Sequence, residues 1–144
     1  MNTEEKWWKK IKNLNVEEFT TPCPEVVSPD TKLVELERLI KKKNFRHIPI
    51  QEGDKIVGII SERDIFSAYR SNDINTLTAR DIMQKEPYII PSDTKLSEVA
   101  FYMSKNKYGS ALVTSADGEL GIFTSTDALN ALVEVLRGDI LTSS

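Results

Sequence analysis

Gly58-Ile-Ile-Ser-Glu-Arg-Asp64 is the stretch on which the reading of the fold turns, because the chain writes it twice. At an offset of 63 residues stands Gly121-Ile-Phe-Thr-Ser-Thr-Asp127. Each copy has a glycine, two apolar residues, a hydroxyl residue and an aspartate three positions on.

The likeness extends over most of the chain. Without a gap, Leu14 to Arg70 aligns with Leu77 to Val133. Pro24 falls on Pro87, Asp30-Thr-Lys-Leu33 on Asp93-Thr-Lys-Leu96, Glu35 on Glu98, Asp54 on Asp117 and Ala68 on Ala131. A period of this length marks a duplicated structural unit, and a missed repeat misreads the whole fold.

Each copy reads as β-α-β-β-α. Pro24–Val27 and Pro87–Ile90 are short apolar runs entered from a proline and predict strands. Asp30 and Asp93 stand where N-caps belong, ahead of helices over Lys32–Lys43 and Lys95–Lys105. Leu33, Leu36, Leu39 and Ile40 have helical spacing, as do Leu96, Val99, Ala100 and Met103. Strands are expected at Arg46–Ile50 and Ser110–Thr114. Gly53 and Gly118 sit in turn dipeptides with Asp54 and Asp117, which predicts hairpins to Ile56–Ile60 and Leu120–Phe123. A closing helix begins near Asp64 and Asp127; in the second copy Ala128, Leu129, Leu132, Val135 and Leu136 form its apolar stripe and Gly138 stops it. A unit of this size has little core alone. The expected fold is therefore α/β (α+β): two pseudo-symmetric units packed through their sheets, preceded by a short helix. The expected domains are an extension over 1–15, a first repeat over 16–70, a linker over 71–78, a second repeat over 79–137 and a tail over 138–144.

Bulk properties exclude several functions. The 144 residues are 40% apolar and 28% charged, as in an ordinary globular chain. A net charge of −3 gives no general attraction to nucleic acid or an anionic membrane. No apolar run approaches the ~18 residues of a membrane span, and no secretory signal is visible. One cysteine and one histidine exclude an internal disulfide and a zinc site of usual composition. The expected compartment is the cytoplasm.

The repeated motif has a plain reading and a functional one. Ser or Thr three residues ahead of an acid, before an apolar helix, outlines a capping box. A cap, however, does not call for Gly58 or Gly121 near a strand end, where glycine suggests a close approach to the backbone. Asp64 and Asp127 offer two oxygens each to the paired hydroxyls of a ribose, with Ser61 or Thr124 beside them. The helix end would favour a phosphate.

With the motif stand Phe45-Arg-His-Ile-Pro-Ile50 and Ala79-Arg-Asp-Ile-Met83 leading to Pro87. Together these residues resemble a tandem pair of cystathionine-β-synthase (CBS) domains, a Bateman module, from about Val16 to Leu136. The resemblance implies two clefts between the domains that take adenosine-containing ligands: AMP, ADP, ATP, S-adenosylmethionine or dinucleotides. It implies no obligatory cofactor and no catalysis. By resemblance, Asp64 and Asp127 hold ribose hydroxyls, with Ser61 and Thr124 near sugar and phosphate. Adenine lies against Pro24, Glu25 and Val26 in one cleft and Pro87, Tyr88 and Ile89 in the other. Arg46 and His47 face phosphate, and Arg63 lies within the first motif.

The second copy has Gly109 and Ser110 at the Arg46 and His47 positions, and Ser125-Thr126 in place of Glu62-Arg63. The Asp64 cleft is thus expected to handle a di- or triphosphate better, and the Asp127 cleft to be weaker, to take a less charged adenosyl ligand, or to stay empty. The implied function is a sensor that transmits ligand binding to a partner or oligomer, commonly a homodimer through the helices; the alternative is a dimerisation scaffold with empty clefts. Among the remaining residues, His47 reads first as a structural hydrogen-bonder and Cys23 as an unreactive loop thiol. Lys41-Lys-Lys43 suits a helix end, and Arg137-Gly-Asp139 reads as one. Trp7, Ile11 and Leu14 share one helical face expected to pack on its own domain, with Trp8 about 100° round from it and open to an intersubunit contact.

Overall fold

The computed structural model describes residues 3–23, 25–70 and 74–138. In chain order its elements are α1 (Thr3–Lys12), a 3-10 turn (Val16–Phe19), β1 (Thr21–Pro22), α2 (Leu33–Lys43), β2 (His47–Glu52), β3 (Lys55–Ser61), α3 (Glu62–Ala68), α4 (Ala79–Ile82), β4 (Gln84–Lys85), β5 (Ile89–Pro91), α5 (Leu96–Asn106), β6 (Ser110–Thr114), β7 (Leu120–Thr124) and α6 (Ser125–Arg137). The β-α-β-β-α reading holds in the second repeat. In the first, the opening strand is reduced to one bridge between Val27 and Ile50. Glu25 and Val26 precede that bridge, and Pro24 lies outside the described residues.

The chain divides into two compact units, and neither is one repeat alone. One holds Met1–Pro22 with Tyr88–Ser144; the other holds Cys23–Pro87. Each repeat gives its leading segment to the unit built on the other. In the first unit the sheet order is β1-β7-β6-β5, with Pro22 opposite Gly121. In the second it is β2-β3-β4, with Lys85 opposite Gly58. The backbone joins repeat the exchange in register. Val16 N donates to Thr94 O at 2.9 Å and Leu96 N to Leu14 O at 2.8 Å; Ala79 N donates to Thr31 O at 2.8 Å and Leu33 N to Leu77 O at 3.1 Å. Val16 and Ala79 are wholly buried, each in the unit that receives it.

The two cores match position by position while differing in shape. Leu36, Ile40, Ile48, Ile50 and Ile60 fill one; Val99, Met103, Ala111, Val113 and Phe123 fill the other. Ile48 lies across the hairpin from Ile60, and Ala111 across from Phe123. An even pair in one unit is thus replaced by a small-large pair in the other. Ile74 and Leu77, from the expected linker, pack against the core of the second unit; 71–73 lie outside the described residues. On α1 and beyond, Leu14 is buried, Trp7 and Ile11 are half-buried and Trp8 is exposed.

Two expectations about helix ends are corrected. Asp30 and Asp93 are not N-caps: Lys32 and Lys95 hold those positions without a side-chain cap bond. The orphan N–H of Leu33 is instead taken by the carbonyl of Leu77, and that of Leu96 by Leu14, so the exchanged segments do the capping. The turns and stops behave as expected, with Gly53, Gly118 and Gly138 at φ of 61°, 83° and 76°. Lys107, however, ends α5 at φ 58°, a left-handed position better suited to glycine.

Close approach explains Gly58 and Gly121. A Cβ on Gly121 would stand 2.4 Å from Thr20 Cγ2 and 3.1 Å from Thr21 O; one on Gly58 would stand 2.4 Å from Met83 Sδ and 3.0 Å from Gln84 O. The approaching group is the exchanged segment, so the glycines alone do not call for a ligand. Thr20 is branched and held by its hydroxyl donating to Val16 O at 2.7 Å, whereas Met83 can swing aside. Gly121→Ala is therefore expected to destabilise by about 2–3 kcal/mol and Gly58→Ala by about 1 kcal/mol, within the range for overpacking. Urea unfolding checks this; equal and negligible costs would contradict the close approach.

Candidate functional site

At the end of each hairpin the strand runs directly into a helix, and the junction is a capping box. Ser61 N donates to Asp64 Oδ2 at 2.8 Å, and Asp64 N donates to Ser61 Oγ at 3.2 Å. In the second copy Thr124 N donates to Asp127 Oδ2 at 2.8 Å, Thr124 Oγ1 donates to the same oxygen at 3.0 Å, and Asp127 N donates to Thr124 Oγ1 at 3.3 Å. The capping reading of GIISERD and GIFTSTD is thus what the geometry displays, and Ser61 and Thr124, not the aspartates, are the N-caps. Both boxes engage the aspartate through Oδ2, and both carboxylates remain half-buried.

The register gathers the other sequence-predicted residues beside these boxes. His47, first residue of β2, lies opposite Ser61, and Ser110, first residue of β6, lies opposite Thr124. Arg46 O accepts from Glu62 N at 2.9 Å; Gly109 O accepts from Ser125 N at 3.0 Å. One sheet edge of the second unit thus carries Arg46, His47, Ser61, Arg63 and Asp64, with Glu25 and Val26 ahead of the bridge beside β2. The corresponding edge of the first unit carries Tyr88, Ile89, Ser110, Thr124 and Asp127. Pro87 belongs to the second unit. Glu25 is ion-paired with Lys43, a contact the sequence did not suggest.

The two edges differ in charge. Arg46 and Arg63 are exposed, and among the described residues neither has an ion-pair partner. At the start of α3, the N–H groups of Glu62 and Asp64 are already taken by Arg46 O and Ser61 Oγ. The expected anion site at that helix end is therefore reduced, and cationic side chains are left as the groups that can meet phosphate. Cys23 lies under the same edge, its thiol donating to His47 O at 3.7 Å. Burial pushes that thiol up to about 11. Among the described residues no cluster of His, Cys, Asp and Glu suits a metal ion, and no helix is long and apolar enough to cross a membrane.

A duplicated α+β unit with a capped strand-to-helix junction at each sheet edge defines a tandem-repeat module. The chain belongs to the CBS domain family, which matches it at residues 16–71 and 79–134. It is 31% identical over 102 residues to an inosine-5'-monophosphate dehydrogenase of Korarchaeum cryptofilum, a match covering 70% of this chain and 21% of that enzyme. The chain thus spans about a fifth of that enzyme's length. Among solved structures it resembles a Vibrio cholerae protein assigned to acetoin utilization, AcuB, with 26% identity, a TM-score of 0.68 and coverage of 91% of this chain and 98% of the other. It also resembles the CBS domain pair of protein MJ0100, solved with 5'-methylthioadenosine and S-adenosyl-L-methionine, with 28% identity, a TM-score of 0.68 and coverage of 82% and 98%.

The burial of Cys23 carries a direct expectation. At pH 8 a thiol at about 11 holds about a hundredfold less thiolate than one at its ordinary value of 9.0. Labelling by a disulfide reagent should be slower in the native protein by at least about that factor than in urea. Equal rates would show an open, reactive thiol.

Proposed function

We propose that this module is a non-catalytic sensor of adenosine-containing ligands, with Asp64 and Asp127 each receiving a ribose. The observation that carries the reading is the one-sided use of each aspartate. The cap engages Oδ2, so Oδ1 is the oxygen assigned to sugar hydroxyls, and ligand and helix are read by one rigid group. Arg46, His47 and Arg63 give the Asp64 edge its preference for a phosphate chain; Ser61 and Thr124 stand beside the sugars. Glu25, Val26, Tyr88 and Ile89 are assigned to the purine. Pro24 shares that assignment but lies outside the described residues, and Pro87 is placed with them on the motif alone. The adenosyl ligands of MJ0100 support the same ligand class.

A ligand regulates only if it binds two arrangements of the protein unequally. The arrangement proposed here is a homodimer. Leu129, Leu132, Val133 and Leu136 turn an apolar face of α6 outward, with Leu136 75% exposed, while Ala131 is the residue that helix buries. Burial of such leucines contributes roughly 1.5–3 kcal/mol each. Wild type should sediment as a dimer and Leu132→Glu as a monomer; a monomeric wild type would remove this part of the proposal.

The second reading, a scaffold without ligand, is favoured by one observation: capping and close packing already account for the serine, threonine, aspartates and glycines of the motif. Calorimetric titration with AMP, ATP, S-adenosylmethionine and NAD separates the two. The sensor predicts that at least one binds, and that Asp64→Ala weakens ATP at least about tenfold, the weight of a hydrogen bond to a charged group. Asp64→Asn, which keeps an acceptor for the cap, controls for the ~1 kcal/mol that losing the box costs. Failure of all four to bind wild type would leave the scaffold. Turnover of ATP by the pure protein would contradict a non-catalytic role.

A further inference from the structure

The first unit carries an aromatic cluster that has no counterpart among the described residues of the second. The rings of Tyr88 and Tyr102 lie 4.6 Å apart, those of Tyr88 and Tyr108 5.8 Å, and those of Tyr102 and Tyr108 5.9 Å. At the matching positions of the first repeat stand Glu25, Leu39 and Phe45. The cluster is anchored from below: Tyr88 packs on the core, and its carbonyl accepts from Leu112 N at 2.8 Å, while Tyr108 N donates to Met103 O at 2.9 Å. Yet Tyr102 and Tyr108 each remain 43% exposed, so the anchored rings present aromatic surface to solvent. They do so at the sheet edge already described. Tyr88 is the residue before β5, Tyr108 stands two residues before β6, and Ser110 at the start of β6 lies opposite Thr124.

We infer that this tyrosine cluster is a stacking platform for the base of a purine nucleoside that carries no phosphate chain, held at the other end by Asp127. The inference rests on the proposed reading of Asp127 as a ribose acceptor. A flat base gains from an anchored aromatic face whatever its identity. The edge is poor ground for phosphate. Gly109 and Ser110 replace the arginine and histidine of the other unit, and Asp127 is acidic. Glu98 and Tyr102 lie close enough to Tyr88 to raise its hydroxyl further, after burial as the main cause. Lys105 and Lys107 are exposed at the end of α5, where the helix terminus offsets their charge. The two edges thus divide the ligand class, with phosphorylated nucleotides at Asp64 and a bare nucleoside at Asp127.

The test is calorimetric titration of adenosine and of ATP into wild type, Tyr102→Leu, Tyr108→Leu, the matching Phe variants and Asp127→Asn. The expected result is adenosine binding weakened about tenfold by either Leu variant, retained by Phe, and lost in Asp127→Asn, with ATP affinity unchanged in the Leu and Phe variants. If Asp127→Asn loses adenosine while the Leu variants bind it as wild type does, the platform is wrong and the ribose reading stands. If adenosine does not bind, or binds without regard to Asp127, both fail. A Tyr108→Leu variant that loses ATP in parallel overturns the division of ligands.

Discussion

Where Pro22 lies opposite Gly121 and Lys85 lies opposite Gly58, the leading strand of one repeat is laid against the hairpin of the other with no room for a side chain between them. This contact makes each compact unit a product of both repeats. The same exchanged segments supply the partners that the first turns of α2 and α5 require, bury Val16 and Ala79, and pair with each hairpin just ahead of the point where its strand turns into a helix. The capping boxes then hold that turn, and the turn positions the aspartates. Duplication here is therefore mutual completion. A single repeat would lack an edge strand, a helix cap and part of its core, which is a physical reason for the copies to occur together.

Shared geometry leaves room for divergence at the surface. An Ile48–Ile60 pair in one core stands as Ala111–Phe123 in the other, yet the hairpin registers at that layer stay alike. The edges do not. Arginines and a histidine share the edge of Asp64, and an anchored tyrosine cluster shares the edge of Asp127. One backbone solution thus offers two chemically different surfaces, and a ligand that carries negative charge would sort toward the first.

Much of this was legible in the sequence. Periodicity and turn residues located α2, α5, α6 and both hairpins, because those signals are local. The two copies of Ser/Thr-x-x-Asp announced the capping boxes for the same reason. The exchange was not read, although it left two traces: glycines in strands, and the in-register recurrence of Val16 and Ala79 at the start of each repeat. The glycines signal a close approach to the backbone, but the sequence does not say what approaches them. Asp30 and Asp93 have the right residue type for N-caps, but a carbonyl from a distant segment won the orphan N–H groups. The Glu25–Lys43 pair and the tyrosine cluster were invisible because they join residues remote in sequence. The outward face of α6 was seen as a stripe, without showing which side of it the core would use.

The central functional claim is that the edge around Asp64 receives a phosphorylated adenine nucleotide through the same residues that cap α3. Hydrogen–deuterium exchange with and without ATP tests it most directly, residue by residue. Slowed exchange is expected at Arg46–Ile48 and Ser61–Asp64, with much less change at Ser110 and Thr124–Asp127. Unchanged exchange at both edges in saturating ATP, or protection confined to the Asp127 edge, would contradict it.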